Sequence, residues 1–177
     1  MSALFWHFIF YSFFGYLVEK LFAFAVRSPH RVRRCFLVLP LCPVYGLGML
    51  AVLAAPESLL RSPLLPLWGA FAATAVEYAM HLFYERALGV RFWDYTGQPG
   101  NLGGRVCLPF SLAWGVLTAA AAVYLEPWVE RCAQQPMWLT AAFAAALVWD
   151  GGASAQVLHL TGDIDALGLT PPERGKT

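Results

Sequence analysis

Five apolar stretches, each about as long as a bilayer is thick, restrict this chain to one broad class of fold. They run roughly over residues 4–25, 36–55, 64–84, 108–125 and 137–158. A helical span needs ~20 mostly apolar residues. Hydrocarbon offers no water to backbone N–H and C=O groups, so such stretches must satisfy them internally, as helices. Composition agrees, with 59% hydrophobic and 13% charged residues, against ~25% charged in an ordinary soluble domain. The expectation is an all-α, polytopic membrane helix bundle of five transmembrane helices over residues 1–160, followed by a cytoplasmic tail, 161–177.

Pro56, Pro63, Pro66, Pro127 and Pro136 punctuate the ends of these stretches, where a missing N–H is tolerated. Trp6, Trp68, Trp93, Trp128 and Trp138 fall near the expected interfaces, as aromatic belts do. The N-terminus has no basic region ahead of its apolar run, so no cleaved leader is expected. A net charge of +1 without a basic stripe excludes a nucleic-acid partner. Cys35, Cys42, Cys107 and Cys132 form no Cys-x-x-Cys pair and no zinc-like spacing with histidine. They read as small apolar fillers, and no cofactor is expected.

Basic residues set the orientation. Nine of the twelve fall on one side: Arg27, Arg31, Arg33 and Arg34, then Arg86, Arg91 and Arg105, then Arg174 and Lys176. Arg61 and Arg131 fall on the other, and Lys20 lies inside a span. The positive-inside rule then puts the N-terminus outside and the C-terminus inside.

Spans one, three and five run in parallel, and each carries a carboxylate in its inner half: Glu19, Glu77 and Asp150. An ionisable group in hydrocarbon costs about 2.5–3.5 kcal/mol on insertion scales, faces the bundle interior and tends to mark function. The three are expected to converge on one buried chamber. Span three places Gly69, Ala73, Glu77, His81 and Glu85 at steps of four, on one slowly rotating face. Tyr11, Gly15 and Glu19 do the same in span one, Ser111, Gly115 and Ala119 in span four, and Ala142, Ala146, Asp150 and Ser154 in span five. Arg105 and His81 are the candidate partners for the acids, and Lys20 is expected to snorkel to the interface. Glu77 and His81 also have the i, i+4 spacing of two metal ligands, but the full His-Glu-x-x-His signature is absent. Asp150-Gly151-Gly152 suggests a break in span five.

An internal duplication runs through the chain. Leu39-Pro40-Leu41-Cys42-Pro43-Val44-Tyr45-Gly46 matches Leu108-Pro109-Phe110-Ser111-Leu112-Ala113-Trp114-Gly115, and each follows a Val-Glu pair, Val18-Glu19 or Val76-Glu77. This implies two parallel hairpin repeats, about 4–56 and 63–126, with a fifth helix at about 137–160. Binding sites of transport proteins form where such repeats meet.

The connection from Arg91 through Trp93, Asp94, Tyr95 and Asn101 to Arg105 is the least generic stretch. It is expected to dock beneath the bundle, with Trp93 and Tyr95 at the interface and Asp94 paired to Arg105. Together with Gly15 to Glu19, the Leu41 to Gly48 run, Glu77 with Glu85, Gly104-Arg105-Val106-Cys107, and Ser111 to Gly115, it carries a resemblance. Over roughly residues 5–128 the chain resembles the putative ABC-transporter type IV permease family, also called CmpB-like. The resemblance implies a multi-pass protein of the bacterial cytoplasmic (inner) membrane, labelled a permease without an established substrate. No Gly-x-x-x-x-Gly-Lys-Ser/Thr loop occurs, so ATP hydrolysis would need a separate ATPase subunit. Five spans are few for a pathway, which points to a homodimer or another partner in the lipid bilayer.

The leading expectation is a transport-type membrane subunit, not an enzyme, whose acidic interior takes a cation, a proton or a cationic solute. Glu19 and Glu77 would be symmetry-related ligands and Asp150 a third. The alternatives are an intramembrane enzyme acting on lipid through Glu77, His81 and Asp150, and a structural or regulatory bundle without chemistry.

Overall fold

The computed structural model describes residues 2–26 and 35–167. The four arginines of the first connection, and Arg174 and Lys176 of the tail, lie outside the described residues. Described residues form helices and no strands: α1 (Ser2–Ala25), α2 (Pro43–Leu53), a single turn α3 (Glu57–Leu60), α4 (Leu65–Phe83), α5 (Leu108–Ala120), α6 (Glu126–Cys132), α7 (Met137–Thr161) and a closing 3-10 turn, Ile164–Leu167. Three continuous rods are long and apolar enough to cross a membrane: α1, the α5–α6 rod Leu108–Cys132, and α7. Their outer faces expose Phe24, Val116, Tyr124, Trp138, Val148 and Trp149, a surface suited to lipid rather than water.

Two hairpins make the core. α1 packs on α2, α4 packs on α5, and the hairpins meet through α2 against α4. Gly46 lies so close to α1 that a Cβ there would collide with the Ser12 hydroxyl, the Phe8 ring and the Phe8 carbonyl. Gly115 sits on α4 in the same way, against Ala70 and the Pro66 carbonyl. Ser12 and Ala70 stand seven residues before the glutamate of their hairpin, and Phe8 and Pro66 stand eleven before it. Small residues at these crossings let the backbones approach, which is how helices gain packing in lipid.

The second apolar stretch departs from expectation. It is helical only over Pro43–Leu53, 11 residues, because Pro40 and Pro43 disfavour helical backbone at the residues just before them, and residues 36–40 form bends instead. The freed amides of that segment find internal acceptors. Val38 and Leu39 donate to the two carboxylate oxygens of Asp150 at 3.3 and 3.0 Å, and Cys42 donates to the Ser12 carbonyl at 2.8 Å. Irregular backbone at membrane depth is tolerated only where it is satisfied inside the protein. Asp150 is thus a clamp on a main-chain segment.

Two further expectations are corrected. α7 runs unbroken through Gly151 and Gly152, and its upper small residues, Ala142 and Ala146, are exposed, so only Asp150, Ser154 and Leu158 form its buried face. Pro127 does not end the fourth stretch. A π turn, Ala121–Leu125, ends two residues before it, and such wider turns accommodate a residue that lacks the N–H and crowds the previous turn.

Removing the clamp should be costly, since two part-buried amides lose their side-chain acceptor. Asp150→Ala is expected to lower unfolding stability by about 2–4 kcal/mol, read from denaturant unfolding of the detergent-solubilised protein. Gly115→Ala should destabilise by about 1–3 kcal/mol through overpacking. Gly152→Ala, with nothing within 4 Å of the added Cβ, should be neutral or stabilising by up to about 1 kcal/mol.

Candidate functional site

A cavity of about 160 Å³ lies between the hairpins and is lined by Glu19, Tyr45, Glu77, Tyr95, Phe110 and Trp114, among others. Drug-sized ligands need ~300–1,000 Å³, so this space suits a small ion, a few waters or one compact charged group. Both hairpins contribute a glutamate. Tyr45 donates its hydroxyl to Glu19 Oε1 at 2.9 Å, and Trp114 donates its indole N–H to Glu77 Oε2 at 3.0 Å. Tyr45 and Trp114 are the residues immediately before Gly46 and Gly115. Each hairpin therefore uses its aromatic-Gly pair twice: the glycine brings the helices together, and the aromatic donor reaches back to the glutamate. The two rings also touch, with centroids 4.7 Å apart.

Glu77 is the more deeply held, only 4% exposed. Its other oxygen, Oε1, accepts the Tyr95 hydroxyl at 3.0 Å. Two donors on one buried carboxylate are what its burial demands. Glu19 is half-buried, and both glutamates have partners beyond these.

Tyr95 arrives on the connection that precedes α5. Gly97, Gly100, Gly103 and Gly104 all have positive φ, the left-handed region that glycine adopts without steric cost. Those turns fold the connection back on itself, with Tyr95 N donating to the Gly104 carbonyl at 2.8 Å and Leu102 N to the Val106 carbonyl at 3.0 Å. Asn101 locks the fold at both ends, accepting from Gly104 N and donating to the Gln98 carbonyl. Trp93 donates to the Arg105 carbonyl at 2.8 Å, and Tyr95 stacks on Phe110 at 4.7 Å. Trp93 and Tyr95 both line the cavity.

The remaining candidates have other partners. His81 is buried and bonds through Nε2 to the Trp93 carbonyl at 3.0 Å, so it holds the connection. Glu85 receives Arg105 at 2.7 Å and also pairs with Arg91. Those hydrogen bonds, from Arg105 first, hold its carboxyl below the usual carboxylate range, and Glu85 raises the Arg105 guanidinium in turn. Asp94 does not take Arg105. It accepts the Thr96 hydroxyl and amide, which hold its carboxyl below the ordinary value. Lys20 lies over the Tyr16 ring, 4.8 Å from its centroid. Asp150 serves the 38–39 backbone, so Glu77, His81 and Asp150, the trio of the enzyme alternative, engage three separate sets of partners. Among the described residues the histidine–carboxylate cluster with metal-ligand spacing is elsewhere, at His7, Glu126 and Glu130. Sequence reasoning had missed it, together with the donor roles of Tyr45 and Trp114.

Loss of one donor to Glu77 should be felt in stability. Tyr95→Phe and Trp114→Phe are each expected to cost about 1–3 kcal/mol in unfolding measurements, and the double variant less than their sum, since they share an acceptor. The Glu85 pairs give a pH dependence. Because folding depresses this carboxyl, its contribution is full above the unfolded value of about 4.3 and is lost as pH falls through the lower folded value. Hydrogen exchange across residues 91–104 should accelerate below about pH 4 in the wild type, and Glu85→Gln should show the faster exchange already at neutral pH.

The comparisons with known proteins agree with this architecture. No curated protein and no solved structure matches the chain significantly. One family model does, described as putative ABC-transporter type IV, and it matches residues 6–151. That range takes in both hairpins, the connection carrying Tyr95 and the first part of α7 as far as the Asp150 clamp, so the chain belongs to the putative ABC-transporter type IV family.

Proposed function

We propose that this protein is a membrane subunit of a transport assembly, and that the space between its hairpins receives a cation, a proton or a cationic group of a solute. One observation carries the reading: Glu19 and Glu77, from different hairpins, line one small cavity with an aromatic donor on each. Carboxylates provide the charge, and the Tyr45, Trp114 and Tyr95 rings provide faces on which a cation is further stabilised. Matched contacts at Gly46 and Gly115 support the hairpins being repeats of one unit, and a site at the junction of repeats is the usual arrangement in transporters.

The charge distribution supports a multi-pass protein of the bacterial inner membrane, its N-terminus outside and the connection carrying Trp93 and Tyr95 in the cytoplasm. On that reading the five spans comprise the three long rods plus α2 with its extended lead-in and α4. A chain of this size without a nucleotide-binding loop needs company, either a second copy or a separate ATPase. The folded 91–105 connection is the surface we assign to that contact.

A structural role for the same pair is the second reading, because a doubly bonded buried carboxylate also glues helices together. Thermal unfolding of the purified protein with sodium, potassium, guanidinium and tetramethylammonium salts separates the two. Transport-type recognition predicts that one cation class stabilises the wild type, by about 2.7 kcal/mol at one hundred times its Kd. Glu77→Gln and Glu19→Gln should abolish that response. A purely structural cluster would show no cation-specific response in the wild type and only lower stability in the variants.

A further inference from the structure

Far from the cavity, where the start of α1 meets α6, three side chains from sequence-distant positions converge. His7 Nε2 lies 3.0 Å from Glu126 Oε1 and 3.2 Å from Glu130 Oε2. His7 is 6% exposed, whereas Glu130 opens to the surface. Along α1, His7 and Glu19 are ~18 Å apart at 1.5 Å per residue, so the two places are separate.

His7 Nδ1 lies 2.7 Å from the Ala3 carbonyl, which can only accept, so Nδ1 carries a hydrogen and Nε2 is the ring nitrogen turned toward the two glutamates. Among the described residues the ion pairs of Glu126 and Glu130 are with His7 alone.

We infer that His7, Glu126 and Glu130 form a binding site for a divalent transition metal of the zinc class. Their ligand atoms all lie within 4.8 Å of one another. Bonds of ~2.0–2.2 Å to a tetrahedral ion set ligand separations of roughly 3.4 Å, a few tenths of an ångström from the two distances to Nε2. The groups behind the ligands are also those a metal site uses. A ligating histidine donates its other N–H to a carbonyl, and a ligating carboxylate is itself hydrogen-bonded. Here Nδ1–H goes to Ala3, and the buried Tyr11 hydroxyl donates to Glu126 Oε2 at 2.5 Å. Glu126 and Glu130 are one turn apart on α6, and the exposure of Glu130 leaves a path to solvent for the fourth position. Mixed nitrogen and oxygen donors favour zinc, cobalt, nickel or copper over magnesium and calcium, which take oxygen alone.

Isothermal titration of the chelator-treated, full-length protein in detergent tests this. Zn²⁺ is expected to bind one per chain, Co²⁺ to bind with visible absorption bands, and Mg²⁺ to produce no heat. Glu130→Gln, at an exposed position that the fold tolerates, should weaken Zn²⁺ at least about tenfold, and Tyr11→Phe should weaken it about tenfold through Glu126. Glu19→Gln should leave it unchanged, which keeps this site distinct from the cavity. No Zn²⁺ or Co²⁺ binding by the wild type, or an unchanged affinity in Glu130→Gln, overturns the assignment. So does a ¹⁵N spectrum showing both His7 ring nitrogens still protonated with Zn²⁺ present.

Discussion

A carboxylate enclosed by apolar helices has no solvent to stabilise it, so the chain must bring donors to it, and much of this architecture follows from that need. Glu77 is the case in point. Its two oxygens take one donor from the neighbouring helix, Trp114, and one from a connection that must fold under the bundle to deliver Tyr95. The four left-handed glycines, the Asn101 lock and the His81 bond to the Trp93 carbonyl all serve that delivery. The same bond that satisfies a buried carboxyl also ties the connection to the bundle, beside those of Trp93 and His81.

Asp150 obeys the same constraint with a different outcome. Its partners are main-chain amides without helical acceptors in a segment interrupted by prolines, and the acid supplies acceptors for them. Glu19 and Asp150 look equivalent along the chain, as single acids in apolar stretches. Their different roles arise from what each one meets: Glu19 accepts a side-chain hydroxyl from Tyr45, and Asp150 accepts two main-chain amides.

Much of this was legible beforehand. Apolar length identified α1, α4, α5 and α7, and the small-residue spacing singled out Gly15, Gly69 and Gly115, each of which lies close against a neighbouring helix. The Glu-to-aromatic-Gly repeat contained Tyr45 and Trp114, but nothing in the motif marked them as hydrogen-bond donors to the glutamates. What could not be read were the features set by tertiary partners. Residues 36–42 are apolar enough for a helix, and the bent form they take draws acceptors from Asp150, 111 residues from Leu39, and from the Ser12 carbonyl. His7 and Glu126, 119 apart, share no local pattern at all. Pro127 was a sound stop signal by propensity, overridden by a locally widened turn.

That widened turn sets more than continuity. A π turn carries one more residue than the α-helical ladder would, and each residue of an α-helix advances ~100° around the axis. Everything beyond Ala121–Leu125 is therefore rotated relative to α5, although the rod remains a single element. The rotation swings Glu126 and Glu130 around to the side where α1 stands. Shortening the turn by one residue would leave the rod equally long to within a rise of ~1.5 Å, yet aim both acids away from His7. The angular phase of the last seven residues, not their composition, is what brings both acids of α6 to the start of α1.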